Sequence, residues 1–247
     1  AAPFVPDPVA DVDRQAAAAW LADRDGTAGE EALALVACYG LAGVRSAVAR
    51  TAGEAGHLAA AIGCPVVLKV VAAGVLHKTE VGGVLTGVAS PQAAESGFAT
   101  IEAGLANSLP GAKLAGVRVA AMAPAGYDLF IGGVQDPVFG PVVVFGAGGI
   151  QVEVFADVAR LLCPTGEAEV LAELGRLHCA RLFEGFRGRP AMDPAPFARA
   201  VVRVGQLLAD FPQIAELDLN PVRLTDGGAL LALDARLRLT TPATDRD

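Results

Sequence analysis

The sequence lacks the features that mark several common classes of protein. It has no basic cluster, and 19 Lys and Arg residues against 27 Asp and Glu residues give a net charge of −8. We therefore expect no nucleic-acid partner, since such partners are held by positive surfaces. Although 53% of the residues are hydrophobic, no uncharged apolar run reaches the roughly 18 residues of a membrane span, so we expect no membrane insertion.

Cysteine is scarce, and its spacing excludes a familiar metal site. The four cysteines form no CxxC pair, and His178 beside Cys179 has no further ligands nearby in sequence. We expect no zinc site, but free thiols in a reducing, cytoplasmic compartment. The N-terminus also lacks a basic region followed by an apolar core, so we expect no signal peptide. Because it lacks a starting methionine, we expect a processed chain or a piece of a longer protein.

The two common phosphate-loop motifs are absent as well. No GxGxxG follows the first strand and no GxxxxGK[ST] occurs. No internal repeat is visible. A length of 247 residues suits one large domain or two lobes, and the break at Pro124-Ala125-Gly126 is the best candidate for a junction.

Periodicity and capping signals predict an α/β (α+β) fold with several hairpins. Predicted helices cover Asp11–Asp23, Gly29–Tyr39, Thr51–Ile62, Pro91–Asn107 and three stretches between Thr165 and Ala209. Predicted strands cover Val44–Val48, Val66–Val71, Val84–Val88, Val117–Met122, Tyr127–Val134, Val142–Phe145, Glu216–Leu224 and Ala229–Ala235, with Val152–Leu162 either strand or helix. Thr51 and Glu54 form a capping-box pattern.

The first candidate functional segment is the hairpin around Lys69 and His77. Lys69 interrupts an apolar strand, and a polar loop then ends in Gly82 and Gly83. Glycines let a backbone approach a ligand, and successive amides can cradle phosphate oxygens. His77 can act as nucleophile, base or ligand. Alternatively, the histidine is only solvated, Lys69 extends from a strand end to water, and the glycines form a simple turn.

The second segment is the C-terminal hairpin. Strand alternation places Glu216, Asp218 and Asn220 on one face. The turn at 227–228 brings Asp234 back opposite this strand, so Asn220 and Asp234 can share a metal. Mg²⁺ takes such oxygen ligands together with waters and phosphates. The alternative is a solvated edge with one carboxylate capping a turn.

These segments occur together with other motifs in an order that resembles one family. The motifs are Tyr39-Gly40, the strand Gly63–Lys69, the loop Leu76–Val84, Asp136–Pro141, Phe145–Gly149 and Glu216–Pro221. The chain resembles, from about residue 28 to 239, the ATP-grasp domain or β subunit of the NDP-forming acyl-CoA synthetases. ADP-forming acetate–CoA ligase is the type member, and succinyl-CoA synthetase β is a more distant relative.

The resemblance implies an ATP-grasp fold whose two lobes hold the nucleotide between them, with residues 28–122 as the first lobe and 123–240 as the second. Residues 1–27 would be an extension and 241–247 a tail. It also implies Mg²⁺ and ATP or ADP as cofactors. The expected partner is a CoA-binding α subunit or fused α domains, through which acyl-CoA and phosphate enter.

The resemblance also assigns roles to single residues. His77 would carry a phosphoryl group on a mobile loop and pass it to ADP. Asp218, the acid that neighbours the proposed Mg²⁺ ligands, would be the second catalytic residue. Lys69 would contact the nucleotide phosphates, with the Gly82 and Gly83 amides beside it.

Further roles follow for the nucleotide and the metal. Asn220 and Asp234 would bind Mg²⁺, Met122 would meet adenine through its backbone, and Asp128 would take the place of a ribose-binding glutamate. The chain departs from the family's pattern at Asp128, and at Ala120-Ala121, where glutamine or glutamate usually precedes the methionine.

A second function is compatible with the same resemblance. Synthetase-like regions of this kind also occur within protein lysine acetyltransferases, where they sense ligands without making acyl-CoA. The alternative is therefore a regulatory domain that is not itself catalytic.

Overall fold

The structure is a computed structural model that describes residues 9–22, 24–72, 74–75, 78–148, 157–185 and 191–240. It divides into two compact units. The larger unit comprises Ala1–Gly43 and Pro124–Asp247, and the smaller unit comprises Val44–Ala123. No helix in the described part of the chain is both long enough and apolar enough to cross a membrane.

The described helices are α1 (Arg14–Ala22), α2 (Leu33–Ala37), α3 (Ala52–Ile62), α4 (Pro91–Ser108), α5 (Glu167–Leu174) and α6 (Ala195–Asp210). The described strands are β1 (Thr27–Ala28), β2 (Ser46–Ala49), β3 (Val66–Ala72), β4 (Val84–Val88), β5 (Leu114–Ala121), β6 (Gly126–Asp136), β7 (Gly140–Ala147), β8 (Val158–Leu162), β9 (Ile214–Thr225), β10 (Leu230–Ala232) and β11 (Arg236–Leu239). Short 3-10 turns occupy Glu30–Ala32 and His178–Leu182.

The smaller unit is an antiparallel sheet with helices on one face. Its strand order is β2-β5-β3-β4, and α3 and α4 supply apolar residues to the core that includes Leu68 and Val70. Sequence signals fix both helix starts. The Thr51 hydroxyl accepts a hydrogen bond from the Glu54 amide at 3.2 Å, and the Ser90 hydroxyl caps α4 directly before Pro91. The predicted capping at Thr51 is thus present.

The larger unit is built on a sheet with the strand order β1-β11-β9-β6-β7-β8, and β10 also pairs with β9. Helix α6 covers one face of this sheet. Its apolar side, which includes Phe197 and Leu208, is buried together with Ile131, Phe145 and Leu217 from the strands. The opposite face carries polar side chains from β9 and its neighbours.

The smaller unit begins later in the chain than the lobe predicted from the sequence. Residues 28–43, assigned to the first lobe, pack in the larger unit instead. Ala28 pairs with Leu237 between β1 and β11, and Leu35 and Tyr39 are buried in the larger unit's core. The Tyr39 hydroxyl also donates a 2.6 Å hydrogen bond to Asp210 at the end of α6. Contacts distant in sequence, which periodicity does not reveal, decide this assignment.

Two elements are shorter than predicted. The single helix expected over Gly29–Tyr39 is a 3-10 turn followed by the five-residue α2. The single strand expected over Ala229–Ala235 is divided into β10 and β11, with Leu233, Asp234 and Ala235 between them. Only Val158–Leu162 of the ambiguous segment is described as strand, and residues 152–156 lie outside the described residues.

Candidate functional site

Strand β9 presents its polar side chains on one face, as the alternation predicts. Leu217 and Leu219 are fully or almost fully buried in the core. Glu216 is exposed, and Asp218 and Asn220 are half-buried on the other face. We call the face of the larger sheet that carries these three residues the polar face.

Asp234 lies opposite Asn220, although it lies outside a regular strand. The pairs Ala232 with Val222 and Arg236 with Asp218 share one antiparallel register. The same register places Asp234 directly across from Asn220, where opposite Cβ atoms are about 5 Å apart. The Asp234 carboxylate accepts a hydrogen bond from the Ala235 amide at 2.9 Å. The predicted neighbourhood of the two residues is therefore present.

Asp218 has an unusual environment on the same face. Its Oδ1 atom is buried, and within the described residues it has no hydrogen-bond partner. Burial raises the pKa of the Asp218 carboxyl; the Arg236 charge opposes that rise, and the negative charges of Asp234 and Glu216 add to it. Burial therefore makes the ionised form of this carboxylate costly, and a bound cation would lower that cost.

These groups fit a hard divalent cation, but only as part of its ligand set. Asp218, Asn220 and Asp234 offer oxygen atoms, and the buried Oδ1 of Asp218 is an acceptor that a cation would satisfy. No group of three or more His, Cys, Asp or Glu side chains among the described residues is arranged to hold a metal by itself. A partial oxygen set completed by water and substrate phosphates is the usual way in which proteins hold Mg²⁺.

The pairing of β9 with β6 shifts register directly after Leu219, at the candidate metal ligand Asn220. Leu129 of β6 pairs with Val222, whereas Ile131 pairs with Leu219. Asn220 and Pro221 therefore stand against the single residue Phe130, which is the count that defines a β-bulge.

The bulge changes which later residues reach the polar face. Val222 and Leu224 are fully buried, and Arg223 between them points to the side of Asp218 and Asn220. Simple alternation from Asn220 would have sent Arg223 into the core. The sequence analysis did not single out Arg223. Pro221 inside a strand was the signal that could have revealed it, because proline within a sheet often marks a bulge.

Arg223 binds Asp128, its direct partner on β6, through two hydrogen bonds. Nε donates to Oδ1 at 2.7 Å and Nη2 donates to Oδ2 at 2.9 Å. The two side chains are 26% and 35% exposed, and the hydrogen bonds that Arg223 donates to Asp128 raise the pKa of Arg223. Asp128 was predicted to face a ribose; both of its oxygen atoms are instead engaged by an arginine.

Lys69 occupies the middle of β3 in the smaller unit. Its neighbours Leu68 and Val70 are buried against the helices, so Lys69 lies on the other face, where it is half-buried. Arg118 of β5 lies directly opposite it in the register. The Arg118 Nη1 atom donates a hydrogen bond to the Ser46 hydroxyl at 3.2 Å. This face therefore carries two adjacent cations, of which the sequence analysis named one.

The glycines that follow Lys69 do not form the predicted amide cradle. The Gly82 amide donates to the Thr79 carbonyl at 3.1 Å, and the Gly83 amide donates to the Lys78 carbonyl at 2.8 Å. Both donors are thus used inside the turn. The glycines serve the shape of the turn: Gly82 has a φ of +65°, and a Cβ on Gly83 would clash with Cγ1 of Val70.

Two of the site residues predicted from the sequence have not yet been described. Met122 directly follows β5 and is 42% exposed, and its backbone contact with adenine stays a prediction. His77 lies outside the described residues, and its role stays a prediction.

A profile of the ATP-grasp domain matches residues 19–239. The β subunit of ADP-forming acetate–CoA ligase I from Pyrococcus furiosus is 34% identical over 209 residues, which are 85% of this chain and 90% of that subunit. ADP-forming acetate–CoA ligase I from Archaeoglobus fulgidus is 36% identical over 200 residues, 81% of this chain. The chain spans only 29% of the length of that second relative.

Solved structures of a similar protein have the same fold. The dinucleotide-forming acetyl-coenzyme A synthetase 1 of Ca. Korarchaeum cryptofilum, in complex with coenzyme A, Ca-AMPCP and HgCl+, has a TM-score of 0.84 and 33% identity, covering 90% of this chain and 96% of that one. The same protein with coenzyme A and Mg-AMPPCP, its phosphohistidine segment pointing towards the nucleotide-binding site, has a TM-score of 0.76 and 32% identity, covering 90% and 96%.

Proposed function

The chain belongs to the ATP-grasp domain family, and on that premise we propose that it is the nucleotide-handling component of an ADP-forming acid–CoA ligase. The fold class and the family resemblance predicted from the sequence are confirmed. The reaction proposed is transfer of a phosphoryl group between a histidine of this chain and ADP. The bond from phosphorus to the histidine nitrogen breaks as a bond to a terminal oxygen of ADP forms.

The observation that carries this proposal is the arrangement of Asp218, Asn220 and Asp234. Asn220 and Asp234 stand opposite each other and are proposed to hold Mg²⁺, with the buried Asp218 oxygen beside them. When bound, Mg²⁺ would offset phosphate charge. Phosphoryl transfer depends mainly on such positioning and neutralisation of charge.

Lys69 is the proposed phosphate contact in the smaller unit. A half-buried lysine on a strand offers a positive point charge whose direction is fixed by the sheet. His77 is proposed as the phosphoryl carrier, because neutral imidazole is a nitrogen nucleophile near neutral pH. Met122 is proposed to contact adenine through its backbone. The Gly82 and Gly83 amides, which are used within the turn, are left out of the proposed phosphate contacts.

The whole ligase reaction needs more than this chain. Relatives occur either as separate β subunits or as chains of which this one spans less than a third. We propose a CoA-binding α subunit, or equivalent fused domains, as the partner that supplies the acyl-CoA and phosphate chemistry. The alternative, a sensor domain within a lysine acetyltransferase, has no support among the relatives described above.

Nucleotide binding is the first property to test. Calorimetric titration with Mg·ADP and Mg·ATP should give micromolar affinity, and Asp234→Ala should lose it because one of the two proposed metal ligands is removed. Glu216→Gln, an exposed carboxylate on the same face, should bind as the wild type does. Equal affinity in wild type and Asp234→Ala would contradict the proposed metal site.

Phosphoryl transfer is tested with the histidines of the chain. Incubation with radiolabelled Mg·ATP should give an acid-labile phosphoryl group that is absent from His77→Asn. His57→Asn is the matched control, because His57 is an exposed residue of α3 and has no proposed role. Labelling that persists in His77→Asn would remove the carrier role of His77. With the CoA-binding partner added, His77→Asn should likewise form no ATP from acyl-CoA, phosphate and ADP.

A further inference from the structure

Arg223 stands on the polar face only because of the bulge at Asn220 and Pro221. Before the bulge, Leu217 and Leu219 face the core; after it, Val222 and Leu224 do. The extra residue reverses the alternation without withdrawing apolar side chains from the core. The result is a guanidinium on the same face as Asp218 and Asn220. Bulges that re-aim a side chain in this way are frequent next to binding sites.

Only one edge of the Arg223 guanidinium is occupied. Asp128 takes Nε and Nη2, and no further partner of Arg223 is recorded among the described residues. A guanidinium has five N–H donors in a rigid plane. Three donors thus remain for a ligand, held in a fixed direction by the fork to Asp128. A planar, weakly hydrated cation of this kind is well suited to a phosphate group.

A second arginine–carboxylate pair on the polar face shows that this arrangement is not general. Arg238 donates to Glu216 through Nε at 3.0 Å, and the two side chains are 55% and 53% exposed. That pair has one hydrogen bond and is largely in water. The Arg223 pair has two hydrogen bonds and is more buried, so the guanidinium is ordered before any ligand arrives.

The position along the strand fits a nucleoside diphosphate. Arg223 lies three residues beyond Asn220, about 10 Å or less at 3.3 Å per residue. A ligand whose terminal phosphate is held at Asn220 and Asp234 extends over a comparable length towards its inner phosphate and ribose. We propose that Arg223 contacts the inner phosphate of the nucleotide and that Asp128 is a positioning residue that holds Arg223, in place of a ribose contact. This inference rests on the proposed function.

The test compares two ligands across a double-mutant cycle. Wild type, Arg223→Met, Asp128→Asn and the double variant are titrated by calorimetry with Mg·ADP and with its 2′,3′-dideoxy analogue, which lacks the ribose hydroxyls. Arg223→Met should weaken both ligands by the same factor, roughly 10- to 100-fold, as expected for loss of a hydrogen bond to a charged group. Asp128→Asn should have no additional effect once Arg223 is replaced, because it acts only through the arginine.

Two results would overturn the assignment. Binding of the dideoxy analogue that is insensitive to Arg223→Met would mean that Arg223 acts through the ribose. A further loss on adding Asp128→Asn to Arg223→Met would mean that Asp128 contacts the ligand itself. If the wild type binds Mg·ADP and Arg223→Met binds it equally well, only this inference fails; if the wild type does not bind, the proposed function fails and the inference with it.

Matched controls separate binding from folding. Arg238→Met removes an arginine from the same face and should leave both affinities unchanged. Arg223→Lys keeps the charge but loses the fork and should bind more weakly than wild type and more tightly than Arg223→Met. Thermal denaturation followed by the fluorescence of Trp20, the single tryptophan, verifies that each variant is folded.

Discussion

The two units of this protein place different functional groups on comparable surfaces. In each, helices bury one face of an antiparallel sheet and leave polar side chains on the other. The smaller sheet carries the adjacent cations Lys69 and Arg118. The larger sheet carries Asp218 and Asn220, with Asp234 opposite Asn220.

The two sheets thus supply separately two things that phosphoryl transfer needs, which are phosphate binding and metal binding. Cations on one sheet suit phosphate oxygens, and oxygen ligands on the other suit a metal. Because each set stands on its own sheet with its own apolar core, the two can be perturbed separately.

The largest effect is expected from the cores, and it tests whether they are independent. Leu208→Ala in the larger core should lower the free energy of unfolding by about 2–5 kcal/mol, since it leaves a cavity among fully buried residues. Trp20, which packs against that core, should report the shift in urea denaturation. Leu68→Ala, buried in the smaller core, should lower hydrogen-exchange protection in β3 and leave the Trp20 transition in place. A shifted Trp20 transition in Leu68→Ala would show that the two cores unfold together.

A smaller effect is expected at the turn after Lys69. Gly83→Ala should destabilise the smaller unit by about 1–3 kcal/mol, because the new Cβ would meet Val70 and the Lys78 carbonyl. Gly53→Ala in α3, where a Cβ would meet no atom within 4 Å, should be neutral or stabilising by up to about 1 kcal/mol. Hydrogen exchange of β3 and β4 would measure both. Equal protection in the two variants would argue against a steric role for Gly83.

Replacing Asp218 should have opposite effects on the stability of the fold and on nucleotide binding. Its raised pKa means that the folded state holds the proton more tightly than the unfolded state. The stability that this carboxyl contributes should therefore be fully present below its ordinary pKa, be lost as the pH rises through the raised pKa, and change no further above it. Asp218→Asn should remove this dependence and add about 1 kcal/mol at pH 7, since a buried charge is lost, while weakening Mg·ADP binding. Denaturation at several pH values would reveal the trend, with Glu102→Gln, an exposed residue of α4, as the control. A pH profile of Asp218→Asn that matches the wild type would refute it.

The smallest effect is expected at the exposed pair of Arg238 and Glu216. Arg238→Met should change the free energy of unfolding by less than about 0.5 kcal/mol, because water and salt screen a pair that is more than half exposed. Urea denaturation at low and high salt would measure the difference. A loss above about 1 kcal/mol would mean that this pair, like that of Arg223, is part of an ordered network.

The sequence was most informative where one local rule governs. The alternation of Glu216, Leu217 and Asp218 predicted the two faces of β9, and the turn at 227–228 predicted that Asp234 lies opposite Asn220. Thr51 and Glu54 predicted the start of α3 through a capping-box pattern, and the Thr51 hydroxyl does cap that helix. In each case the interacting groups are near in sequence or joined by one tight turn.

It was least informative where distant segments or a single extra residue decide the outcome. The assignment of residues 28–43 depends on pairing with β11, some two hundred residues later. Arg223 reached the polar face through a bulge that simple alternation does not anticipate. The backbone N–H groups of Gly82 and Gly83 were predicted to be available to phosphate oxygens, but they donate hydrogen bonds to carbonyl groups of the same turn.

The bulge in β9 also affects how this surface can diverge between related proteins. It separates the inside–outside pattern of residues 214–219 from that of residues 222–225. The residue at position 223 can therefore vary between apolar and charged types while the acidic half of the strand, and the core beneath it, keep their arrangement. A strand with one extra residue can thus keep the same candidate metal ligands on one side of the bulge while the residue on the other side changes.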